Sequence, residues 1–371
     1  MSSTPAASPS RAAIDWRGLF FSALVPILAI ITALLIGALV IWATGSNVGL
    51  AYSGLFSGAF GSVQAISNTL VESTPFMFAG LAVAVGFKCG LFNIGAEGQL
   101  AMGSLAAAVA GFSITGLPAF IHLPLALIIG ALGGAAWGAI PGFLRARTGA
   151  HEVIVTIMMN YIAIRLTDYL IKGPFRDTSS SAPRTPFVAE SAWLPLLLGS
   201  NYRLHAGFLI AIVMAFFVNW LLNRTTTGFE IGTVGANPGA ARYAGMSITR
   251  NFVLAMSMSG ALAGLAGAST VLGVEHNLKS SFSAGYGFDS IAVALLAKSN
   301  PIGIIPAAIF WGALRNGAGL MQMQSGISIN LINIIQALVI MFVAAPDIIR
   351  LIYRIPKTSE QQTVFTRGWG G

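Results

Sequence analysis

From Gly18 to Ala43 the chain runs 26 residues without one Asp, Glu, Lys or Arg. As a helix that stretch spans about 39 Å, enough to cross the ~30 Å hydrocarbon core of a bilayer. It is too long for the ~7–15-residue core of a signal peptide. Trp16 and Trp42 bracket it, as interfacial aromatics do. Further apolar runs follow at 69–87, 96–115, 122–144, 151–171, 205–222, 250–273, 288–298, 301–318 and 329–349. The 288–298 run is too short to cross alone and reads as half of a broken helix, which survives at membrane depth only inside protein.

Composition agrees. Only 9% of the 371 residues are charged, against about 25% in soluble domains. A soluble enzyme and a disordered chain are both excluded. The chain therefore reads as an all-α, polytopic transmembrane bundle of about ten membrane elements. The expected organisation is a tail over 1–17, a membrane domain over 18–350 and a tail over 351–371.

The net charge of +8 does not call for nucleic acid, because the basic residues lie between apolar runs. With the N-terminus inside, thirteen Lys/Arg fall on the cytoplasmic side and six outside, Arg315 among the six. The positive-inside rule then puts both termini in the cytoplasm. The longest polar break, 172–204, is external on this count: an ordinary connector or a docking surface.

The motifs of catalysis are missing. There is no Gly-x-x-x-x-Gly-Lys-Ser/Thr phosphate loop and no Gly-x-Ser-x-Gly elbow. None of His122, His151, His205 and His276 lies within helical metal-pair spacing of another. No enzyme, metal site or bound cofactor is expected of this chain. The single cysteine, Cys89, excludes an internal disulfide.

Gly130, Gly134, Gly138 and Gly142 form one stripe, and Gly260, Gly264 and Gly267 a second. Both read as surfaces for close helix packing. Acids in apolar context are more pointed, since a charge at mid-bilayer costs about 2.5–3.5 kcal/mol on insertion scales. Glu97, in Gly90-Leu-Phe-Asn-Ile-Gly-Ala-Glu-Gly-Gln99, and Asp289, in Gly285-Tyr-Gly-Phe-Asp-Ser290, each precede an apolar run. One reading is a carboxylate set against a helix N-terminus. The other takes the two segments, 192 residues apart and on opposite sides, as an inverted repeat whose broken helices meet near the midplane. Asn93, Glu97, Gln99 and Asp289 are then candidate pathway residues. Asn160 is a further one, or interhelical glue. Arg165 and Asp168 suit an interfacial pair, and Glu72 is near enough to the outer surface for lipid headgroups to suffice.

The most specific stretch is 228–247, Gly-Phe-Glu-Ile-Gly-Thr-Val-Gly-Ala-Asn-Pro-Gly-Ala-Ala-Arg-Tyr-Ala-Gly-Met-Ser. Asn237 before Pro238 is a helix start, and Gly245 suits the stop. A helix of about two turns should lie there outside the membrane, bearing Arg242 and Tyr243, types favoured at interfaces.

With the Gly90–Gln99 and Gly285–Ser290 segments, this stretch resembles the permease subunits of bacterial ATP-binding-cassette importers. The branch is that of ribose, branched-chain amino acid and nucleoside permeases, most similar to the guanosine-type ones, over about residues 65–350. The resemblance implies that 228–247 carries the coupling helix, with Gly235, Asn237, Pro238, Arg242 and Tyr243 contacting an ATPase subunit. It implies ATP and Mg on that partner, a second related permease in a heterodimer, and an extracytoplasmic binding lipoprotein or periplasmic protein. The location implied is the bacterial inner (plasma) membrane. The expected cargo is a small neutral polar solute, foremost a nucleoside; a simple sugar is the variant reading. An ion-coupled secondary transporter using Glu97 and Asp289 is the other alternative.

Overall fold

The computed structural model describes residues 16–354, apart from 281, 283, 284 and 329. The chain opens with α1 (Trp16–Ala43), α2 (Val48–Phe60), α3 (Val63–Lys88), α4 (Ala96–Ser113), α5 (Ala119–Thr148) and α6 (Glu152–Lys172). After a long loop come α7 (Gly207–Arg224), α8 (Thr226–Ala236), α9 (Pro238–Tyr243) and α10 (Ile248–Thr270), the last continued by a π turn, Val271–Glu275. The remainder is α11 (Tyr286–Leu296), α12 (Pro301–Ser325), α13 (Asn330–Ala344) and α14 (Pro346–Tyr353). No strand occurs among the described residues, only two isolated bridges.

Among the described residues six helices are long and apolar enough to cross a membrane, or seven if the α13–α14 pair, bent by 85°, is one span. They differ in what they face. The most apolar stretch of α3 is 83% buried in protein, that of α5 only 22%. Leu132 of α5, Ile154 of α6 and Val213 of α7 are each at least 60% exposed, a lipid-facing pattern. The α4 and α12 helices are held inside the bundle, where Gln99, Ser104 and Asn316 replace some of the aliphatic side chains that lipid would require.

The two glycine stripes meet. A Cβ at Gly134 would strike the Gly260 carbonyl oxygen, and one at Gly264 would come within 2.5 Å of the Gly130 oxygen. Gly103 of α4 abuts Gly264, and Gly267 abuts Leu100 and Ser104. Thus α4, α5 and α10 touch backbone to backbone, which only small residues allow.

The 172–204 break is strapped down. Thr185 N donates to Leu278 O (2.9 Å), Val188 N to His276 O (2.8 Å) and Leu194 N to Leu272 O (2.9 Å). Trp193 stacks on His276 with centroids 4.0 Å apart. Asp177 closes a turn, accepting from the Ser179 hydroxyl and pairing with Arg184 at 3.2 Å; these contacts, the hydroxyl first, hold its carboxyl below the usual range.

Several expected boundaries change. α2 lies in a stretch the list of apolar runs leaves empty, because at 13 residues it is too short to read as a span although it is apolar. The α3 helix begins six residues before 69 and α12 ends seven after 318. The 329–349 run breaks at Pro346, which cannot continue a helix hydrogen-bond ladder. Arg315, counted as external, lies within α12, with its side chain 29% exposed. Asp168 takes Lys172 (4.0 Å) and the Ser280 hydroxyl (2.8 Å) as partners. The tails 1–15 and 355–371 lie outside the described residues.

Candidate functional site

Two helix N-termini meet inside the bundle. The α3 helix ends at Lys88, and residues 89–95 turn back along it before α4 begins. Beside it starts α11, which has only 11 residues. Glu97, in the first turn of α4 and 1% exposed, joins the two. Its carboxylate accepts from Gly285 N (3.2 Å) and Gly287 N (2.5 Å). These amides belong to the first turn of α11 or just precede it, where no intrahelical acceptor exists. Gly287 has no room for a side chain: its Cβ would collide with Glu97 itself. The helix-terminus reading of Glu97 is thus realised across helices rather than within its own.

The carboxamides around it are engaged. Asn93 donates to Gln99 Oε1 (2.9 Å) and Ser259 Oγ (2.7 Å), and Ser259 donates to Ala82 O (2.6 Å). Asn160 donates to Ile94 O (2.9 Å) and accepts from Gly98 N (2.8 Å). Asn93, Glu97, Gln99 and Asn160, all at most 2% exposed, form one buried knot fastening α3, α4, α6, α10 and α11. Asp289 stands apart from it. Its carboxylate faces Arg315 Nη1 at 3.7 Å, while Arg315 Nε reaches Glu72 Oε2 at 3.4 Å. Tyr286 donates to the same Glu72 oxygen (2.9 Å), and Arg315 lies 4.3 Å over its ring.

At one end of the bundle, α8 and α9 project. Asn237 caps α9, its side chain accepting from Ala240 N (3.0 Å), Pro238 is the first helical residue, and Gly245 takes φ +81°. Ala241 is buried and anchors the helix, whereas Arg242 is exposed and Tyr243 is 98% exposed. Gly235 is placed differently from the other four: it packs on the backbone of Lys88–Gly90, where a Cβ would overlap.

Comparison with known proteins places the chain. The profile of the family described as branched-chain amino acid transport system / permease component matches residues 65–344. The chain belongs to this permease family. It is 44% identical over 334 residues to the guanosine ABC transporter permease protein NupP of Bacillus subtilis, covering 89% of this chain and 95% of that one. It is 38% identical to the nucleoside ABC transporter permease protein NupB of Lactococcus lactis subsp. cremoris, over 90% and 93% of the two chains. With the glucose ABC transporter permease protein TsgB13 of Haloferax volcanii it shares 33% identity over 89% of each. No solved structure matches. The permease is a membrane transport subunit rather than an enzyme.

Sequence reasoning missed the Glu72–Arg315–Tyr286 group. The permease does not leave Glu72 to headgroups. The signal was present: a lone acid and a lone arginine in two apolar helices each need a partner, and each is the other's.

Proposed function

We propose that this permease imports nucleosides, driven by ATP bound with Mg on a partner ATPase. The observation that carries the substrate class is the match to two permeases named for nucleosides or guanosine, at 44% and 38% identity over about nine-tenths of the chain. The glucose permease at 33% keeps a sugar as the second reading. The chain sits in the bacterial inner membrane with both termini cytoplasmic, as the basic-residue count supports, and 172–204 faces outward to a substrate-binding protein. It pairs with a second, related permease. Arg242 and Tyr243 dock in the ATPase, with Asn237 and Pro238 shaping the helix that presents them and Gly235 pressing it to the end of α3.

In this reading ATP binding pushes α9, and the push reaches the bundle through the Gly235–Lys88 contact. The knot of Asn93, Glu97, Gln99 and Asn160 holds α4 and α11 as the bundle rocks between outward-open and inward-open states. Asp289 borders the pathway through its pairing with Arg315.

The test is labelled guanosine uptake by the host strain lacking this gene, restored with the wild-type gene or with Arg242→Glu. Expected is uptake that stops on ATP depletion and persists after collapse of the ion gradient, and at least a tenfold loss with Arg242→Glu while the protein stays in the membrane. Uptake that follows the ion gradient instead, or is indifferent to Arg242→Glu, overturns the ATP-coupled docking. Uptake of labelled glucose in place of guanosine moves the substrate to sugars.

A further inference from the structure

A polar cavity of about 230 Å³ opens beneath the strapped loop. Glu72 of α3, Ser269 and Thr270 of α10, Glu275 of the π turn, His205 and Tyr286 line it, with Arg203 exposed at its mouth. Its walls come from α3, α10, α11 and the segment before α7. It lies on the side of the bundle that carries the 172–204 loop, and so opposite to α9. Nothing in the helix packing needs it: the glycine stripes close α10 against α4 and α5 on another face.

Glu72 commits Oε2 to Arg315 and Tyr286, which orients the carboxylate and leaves Oε1 to accept. His205 Nδ1 accepts from Gly207 N (3.2 Å), so the ring proton sits on Nε2 as a donor. The Ser269 and Thr270 hydroxyls donate to Ala266 O (2.9 Å each), so their oxygens remain as acceptors. Glu275 is engaged by Lys279 and Arg203 stands exposed at the mouth, so the inner wall offers the Glu72 carboxylate, two hydroxyl acceptors and the His205 N–H, a set that suits a ligand presenting several hydroxyls. The volume is below the ~300–1,000 Å³ of drug-sized pockets and takes a single saturated ring.

We propose that this cavity is a sugar-ring subsite, in which Glu72 accepts hydrogen bonds from a vicinal diol and His205 donates to a ring or hydroxyl oxygen. A ribonucleoside and a hexose share that chemistry. The inference rests on the transport reading but is separable from it, because it concerns the diol and not the base.

Cysteine protection tests it. Cys89, the sole cysteine, is buried, so Thr270→Cys is a reporter in a silent background. Right-side-out vesicles of the host carrying this variant are treated with an impermeant cationic methanethiosulfonate. Labelling is expected, and guanosine should slow it at about tenfold lower concentration than 2′,3′-dideoxyguanosine, because a site built around hydroxyls rejects ligands without them. Adding Glu72→Gln, which keeps the shape and removes the charge, should abolish the preference; a merely structural role would weaken both ligands alike. Absent labelling, equal protection by the two nucleosides, or a preference surviving Glu72→Gln overturns the subsite. If guanosine is not taken up but D-ribose or D-glucose protects, the subsite stands and the nucleoside reading falls. If no diol protects while guanosine uptake is normal, the reverse holds.

Discussion

Single positions carry large consequences because the backbone contacts between helices have no slack. At Gly264 the neighbours are backbone atoms of Gly130 and Gly134, not flexible side chains. Gly264→Val must push α5 off α10. Overpacking of that kind costs about 1–3 kcal/mol, so the purified protein should unfold at a clearly lower temperature in detergent. Val at Gly232, which faces open space, is the matched control. His205 gives a different prediction. It lies outside the spans and is 1% exposed; burial first, then His276 and Arg203, lowers its pKa from 6.5 to about 4. Glu72, Glu275 and the Tyr286 hydroxyl share its cavity. The unfolded chain binds the proton from pH 6.5 downward and the folded chain only near 4, so stability is unaffected above that window and falls progressively within it. Thermal unfolding followed from about pH 7 to about pH 4 should show the decline, and His205→Gln should flatten it.

Among the elements, α11 illustrates how a half-length helix is held. Its first-turn amides have no partner of their own and sit beyond reach of bulk water, and Glu97 supplies the acceptor from another helix. Glu97→Ala would leave them buried and unsatisfied, at about 1–3 kcal/mol per group. Hydrogen exchange should then rise at Gly285 and Gly287 and stay unchanged in α5; equal protection in both variants would remove Glu97 from this role. The break between α2 and α3 has a similar remedy. Asn316 of α12 directs its Nδ2 at Gly58 O (2.9 Å), Ala65 O (3.0 Å) and Thr69 Oγ1 (3.0 Å), so the Gly58 carbonyl freed at the end of α2 is satisfied within protein.

For the whole molecule the prediction is one of sides. α8, which leads into α9, packs at the Lys88 end of α3, while the strapped loop packs over the π turn that ends α10. Tyr243, 98% exposed, and Arg184 should therefore report from opposite faces. In the Cys89 background, Tyr243→Cys should react with an impermeant thiol reagent only in inside-out vesicles, and Arg184→Cys only in right-side-out ones. Labelling of both from one face would break the topology.

How much of this was legible in the chain follows from the range of the interactions. The 26-residue charge-free run, the glycine periodicity and Asn237-Pro238 are local patterns. They act through rise per residue, close approach and helix capping, and each appears as read. The short helix α11 was legible for the same reason. Contacts that join distant segments were not. A lone acid and a lone arginine each call for a partner, but nothing near Glu72 says that the partner is Arg315, and nothing near Glu97 announces Gly285 and Gly287, because such pairings are made by folding and carry no periodic trace. The helix α2 was not read because its 13 residues, although apolar, are too few to register as a span. The amino-acid order therefore specified a membrane bundle with a capped short helix at 238–243 through short-range physics. The knot at Glu97, the Glu72–Arg315 pair and the cavity beneath the loop exist only where tertiary packing brings remote polar groups together, because an unpaired polar group there would be too costly to keep.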